Sequence, residues 1–149
     1  MDIALTALAA LGYALSFVLL WVVVLWVMAY ATGWRRLMGV YPSRPLQFPT
    51  CWNGQHLTLR KWGGYNGVVI ACADGEAVTF DLPRLFRIGH APITIPWHEI
   101  TVVATKKRSV TFQTQRAPTV SIAISRDLAA KFDEVSNGRF SNQPIIFPD

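Results

Sequence analysis

The stretch "ITIPWHEITVVAT", Ile93 to Thr105, decides how the second part of this chain folds, because its apolar parity changes halfway. Ile93, Ile95 and Trp97 are odd-numbered, whereas Ile100, Val102 and Ala104 are even-numbered. Successive side chains of a strand point to opposite faces, so a single unbroken strand would turn one of these sets to solvent. The chain must bulge or turn between Pro96 and Glu99. Pro96 cannot donate to a ladder, which suits an edge or a bulge. The stretch therefore reads as two strands meeting at a corner, with Trp97 covering the end of a core.

Widened to "HAPITIPWHEI", His90 to Ile100, the same residues invite a catalytic or metal reading. His98 and Glu99 are adjacent, so on extended backbone they point to opposite faces and cannot act on one atom together. No Ser or Cys nucleophile with a flanking turn accompanies them. His56, His90 and His98 form no HxH or HxxxH pair and have no carboxylate at a matching offset. The expectation is no catalytic residue, no metal and no cofactor.

Further strand-like runs flank the corner: "LTLRK" (57–61), "VVIAC" (68–72), "VTFDL" (78–82), "SVTFQT" (109–114) and "TVSIAI" (119–124). Val78, Phe80 and Leu82 share one face, as do Val110 with Phe112, and Val120 with Ile122 and Ile124. This is the alternation of half-buried antiparallel strands. The breaks are "KWGGYNG" (61–67), read as a glycine-rich loop, the Asp-Gly turn "ADGE" (73–76) and the polar turn "KKR" (106–108). The period then becomes helical. Ser125 is placed to cap, Leu128, Phe132 and Val135 follow at i, i+4 and i+7, and Gly138 stands where a terminating glycine belongs.

Seven strands and a C-terminal helix, about residues 55 to 137, resemble the pleckstrin-homology (PH) superfold. The segment "LFRIGHAPITIPWHEI" in particular is similar to GRAM and bacterial PH-like domains of single-span membrane proteins. The resemblance implies a mainly-β PH-like domain, a sandwich or partly open barrel of about seven antiparallel strands closed by one helix. It implies a binding or scaffolding module and not an enzyme.

Towards the N-terminus, Ile3 to Ala31 is 29 residues without a charge. About 20 apolar residues cross a hydrocarbon core of roughly 30 Å as a helix. A cleaved signal would explain the small residues of "AYA" (29–31), but Met1-Asp2 brings no basic side chain and the run is about twice the usual apolar core of a signal. The expected organisation is a transmembrane helix over 1–34, a linker over 35–56 opening with a short amphipathic turn at Trp34 to Val40, the β domain over 57–138 and a tail over 139–149. Gly12, Ser16, Trp21 and Trp26 are candidates for packing against partner helices, with Trp34 at the headgroup level.

Asp2 precedes the span, while Arg35, Arg36 and Arg44 follow it. The positive-inside rule then puts the N-terminus outside and the C-terminal domain in the cytoplasm, and the resemblance implies that the membrane is the inner membrane of a bacterium. In that compartment Cys51 and Cys72 are expected as free thiols. Residues 35–149 hold all 14 basic residues against 8 acidic ones, a net +6. Tethered beside a bilayer, that charge points to anionic lipid more than to nucleic acid, which is not an expected partner.

In an up-and-down meander the loops after the first, third and fifth runs lie at one end, with the start of the helix. They carry Lys61, Trp62 and Tyr65; Arg84, Arg87 and His90; Lys106, Lys107 and Arg108. These residues are candidates for contact with phosphate headgroups or a partner. Two functions follow. One is a non-catalytic accessory or scaffold subunit that packs against other membrane protein subunits. The other is a module that binds anionic phospholipid headgroups.

Overall fold

The computed structural model describes residues 2–142. Its first element, α1 (Ile3–Thr32), is a single helix of 30 residues, about 45 Å at 1.5 Å per residue, and it is long and apolar enough to cross a membrane. Gly33 ends it with φ 89°, a left-handed conformation that glycine adopts freely, and the chain turns at once into α2 (Trp34–Val40).

Seven strands follow: β1 (Thr50–Leu59), β2 (Gly63–Ala73), β3 (Ala77–Asp81), β4 (Ile93–Pro96), β5 (Ile100–Thr105), β6 (Ser109–Thr114) and β7 (Ile122–Ser125). Their order in the sheet is β4-β3-β2-β1-β7-β6-β5, antiparallel throughout. The domain is thus a curled half-barrel with one helix, α3 (Arg126–Val135), as the strand runs imply.

The parity change falls where the sequence requires it. Trp97–Glu99 form one 3-10 turn between β4 and β5, which are the two edges of the sheet, and the turn draws those edges together. Ile93, Ile95, Ile100 and Val102 are all buried, so the turn turns both parities inward. Trp97 is buried against Phe132 and Phe140 and donates its indole N–H to Asp74 O at 2.8 Å. Asp74 holds its own turn by accepting from the N–H groups of Glu76 and Ala77.

Glu99, treated above only as a neighbour of His98, is buried and bidentate to Arg116, with the Tyr41 hydroxyl donating to it at 2.6 Å. The Arg116 guanidinium holds the Glu99 carboxyl below its ordinary range, so it stays charged inside the fold. Ser125 caps α3 by accepting from Leu128 N at 3.1 Å.

Several assignments differ from the sequence reading. Residues 35–56 are no linker: Leu37 and Tyr41 are core residues, and β1 begins at Thr50. Its early half was hidden because register shifts between Trp52 and Leu57, with Gly54 at φ 65°, break the two-residue period. "GGYNG" is strand and not loop, the turn being only Arg60–Trp62. Finally, Cys51 and Cys72 face each other in the β1–β2 register and form a disulfide, which corrects the free-thiol expectation. The tail expected over 139–149 starts later, because Phe140 is a core residue packed on Trp97, Phe112 and Phe132, and residues 143–149 lie outside the described residues.

Candidate membrane-facing site

The last third of α1 is built into the β domain. Leu25, Ala29 and Thr32 are buried and Trp21 and Met28 half-buried, a stripe at helical spacing along one face. Gly63 lies so close that a Cβ there would stand 2.4 Å from Thr32 Cγ2, so the glycine permits the contact. At the same junction Arg60 donates to Ala31 O at 3.3 Å.

A buried polar chain ties the two parts. His90 Nδ1 donates to Ile88 O at 2.9 Å, which leaves Nε2 to accept from the Tyr65 hydroxyl at 2.8 Å. The Thr32 hydroxyl lies 2.9 Å from that of Tyr65 and 2.8 Å from Met28 O. Trp34 roofs the chain, with ring centroids 5.3 Å from Tyr65 and 5.5 Å from His90, and donates to Ala91 O at 2.9 Å. Burial lowers the His90 pKa and raises that of Tyr65, so the imidazole is held neutral and the phenol protonated.

Several candidates are thereby relocated. Tyr65, His90 and Trp34 are buried, so none of them reaches a headgroup, and Trp34 is a core residue and no interface anchor. Trp21 meets its own domain, with its ring 5.5 Å from Phe86 and its N–H 3.4 Å from Leu85 O. Trp26 is half exposed and carries Arg35 over its ring at 5.0 Å. Gly12 stands in open space, and Ser16 donates to Gly12 O at 2.9 Å within the helix.

The remaining basic candidates divide into two groups. Lys61, Trp62, Arg84 and Arg87 are exposed at the end where α1 joins the domain, Arg87 being paired with Asp81. Lys106, Lys107 and Arg108 are not at that end. The corner at Trp97–Glu99 breaks the up-and-down alternation, so β7 runs antiparallel to β1, and the β5–β6 turn falls at the Ser125 end of β7 while Lys61 is at its Ile122 end. The two ends are about 10 Å apart along the strand. Lys61, Lys106 and Arg108 nonetheless line one shallow groove of about 660 Å³ on the outer face of β1, β7 and β6, with His56 and the hydroxyls of Thr58, Ser109 and Thr111.

Sequence reasoning missed Leu85 and Ile88, which are exposed beside α1; their signal was two large apolar residues alternating with Arg84 and Arg87 in a loop. Among the described residues no three His, Cys, Asp or Glu gather as metal ligands would. No family model and no curated protein matches the sequence.

Proposed function

We propose that this chain is a non-catalytic single-span membrane protein whose PH-like β domain sits on an anionic leaflet and binds its headgroups. The observation that carries this reading is the set of exposed Lys61, Trp62 and Arg84 at the end of the domain from which the apolar helix departs. A helix crossing the bilayer holds that end towards the headgroups, with Arg84 nearest, beside the Trp21 contact, and Lys61 and Trp62 further out beside Thr32. Each basic residue close to such a surface contributes about 1 kcal/mol of attraction.

The test uses the full chain in nanodiscs of mixed zwitterionic and anionic lipid. After extraction in mild detergent at low salt, mass spectrometry of the retained lipid should show several-fold enrichment of the anionic species. Salt and the Lys61→Ala/Arg84→Ala pair should reduce it. Retained lipid with the bulk composition would overturn the reading.

An accessory subunit of a membrane complex is the second reading. The groove between Lys61 and Arg108 favours it, since it faces away from the core and suits an acidic segment of a partner. Purification from native membranes should then recover partners in stoichiometric amount.

For orientation, Arg35, Arg36 and Arg44 support a cytoplasmic domain at the inner membrane, whereas a Cys51–Cys72 disulfide is held more readily on an oxidising face. We propose the orientation that the charges favour. They act while the helix inserts, before the domain folds, and a thiol pair aligned by the sheet opens or closes with its surroundings.

A further inference from the structure

We propose that the loop segment Arg84–Ile88 is an interfacial wedge, immersed in the same leaflet at the depth of Trp21. The inference rests on α1 crossing the bilayer and deepens the headgroup reading, but it comes from a different observation, the position of this loop along the helix.

Ile3 to Leu20 is exposed all round, and those 18 residues span about 27 Å, close to one hydrocarbon thickness. Asp2 resists entering the apolar layer, which fixes where that thickness begins. The opposite boundary then falls near Trp21. There the loop meets the helix: Leu85 O lies 3.4 Å from the Trp21 indole nitrogen, the Phe86 ring packs on Trp21, and Gly89 approaches Ala29 and Trp26. The loop thus runs about 12 Å up the helix from Ala29 to Trp21.

Its outward side chains suit that depth. Leu85 is 65% and Ile88 37% exposed, an apolar pair that water disfavours and an acyl boundary accepts. Arg87 is neutralised by Asp81, and Arg84 has a stem long enough to reach back to the headgroups. Exposed Trp26 and Tyr30 continue the surface as an aromatic belt.

The experiment places a nitroxide on Leu85→Cys, Ile88→Cys or, as the aqueous reference, Lys107→Cys in the disulfide-bonded full chain. Each variant is reconstituted in purely zwitterionic vesicles and in vesicles with an anionic fraction. Accessibility to oxygen relative to a water-soluble nickel chelate should be several-fold higher at 85 and 88 than at 107 in both. All three sites are exposed, so the label leaves the packing intact, and an unchanged melting temperature checks this. Equal, water-like accessibility at 85, 88 and 107 would overturn the wedge. Immersion confined to anionic vesicles would support a wedge that depends on headgroup contact. Immersion in both, with no anionic enrichment in retained lipid, would support the wedge while overturning the headgroup reading alone.

Discussion

His90 shows how one side chain can join a long apolar helix to a β domain. Its imidazole is fully buried, donates to Ile88 O and accepts from Tyr65, and its pKa is lowered from the ordinary 6.5 by burial. Above pH 6.5 the folded and unfolded chains both hold it neutral. As pH falls below 6.5 the unfolded chain takes up the proton and the folded one resists, so stability is lost down to the depressed folded value. Glu99, lowered by Arg116, adds a second loss below its ordinary 4.5, where the unfolded carboxyl protonates first. Denaturant midpoints measured against pH should therefore fall in two limbs. His90→Gln should erase the upper limb and keep the lower; an upper limb unchanged in that variant would show that His90 does not cause it. The sequence showed His90 and Tyr65 only as loop residues among cations, which is why they read as ligands. Their partners, Thr32 and Trp34, lie tens of residues away, and no local pattern announces such a pairing.

Among the elements, the β1–β2 hairpin carries the most consequence. It is stapled by Cys51–Cys72, whose bonded positions are 21 apart in sequence, and it supplies both Lys61 and the Gly63 that admits Thr32. Closing a loop of this size removes unfolded-state entropy worth about 3 kcal/mol. Full chain in detergent, unfolded in urea with and without reductant, should differ by about that amount, and Cys51→Ala/Cys72→Ala should match the reduced protein. A difference below about 1 kcal/mol would mean that the unfolded hairpin is already closed by residual structure. The elements with regular alternation or a cap were legible: β3, β5, β6 and α3 stand within a residue of their runs, and the corner at Pro96–Glu99 was fixed by parity alone. The hairpin was not. Gly54 and two register shifts erase the period in β1, and glycine spacing in "GGYNG" imitates a loop when Gly63 is there to let a helix approach.

For the whole molecule, the corner that closes the sheet also decides which charges stand at the end where α1 joins the domain. Because β4 passes to β5 across the edges and not through a hairpin, β7 opposes β1, and the cations divide between the end that meets α1 and the far turn at Lys106–Arg108. The sequence reading put all of them at one end by assuming an unbroken meander, and the true division depends on strand direction, which the corner reverses. The remaining question of scale is which side of the bilayer the domain occupies, and the cysteine pair reports on it. If the flanking arginines set the orientation, the domain faces the reducing cytoplasm and the Cys51–Cys72 bond is opened there, so trapping thiols with a membrane-permeant maleimide in intact cells before lysis should label both Cys51 and Cys72. Protein purified in air without trapping should carry the bond, because the β1–β2 register already holds the two residues opposite each other. A bond already closed at the moment of trapping would place the domain on the oxidising face, against the count of Arg35, Arg36 and Arg44. The wedge at Leu85 would then dip into the outer leaflet, and its nitroxide depth would be unchanged, because the depth is set by where the loop meets α1 and not by which compartment lies beyond it.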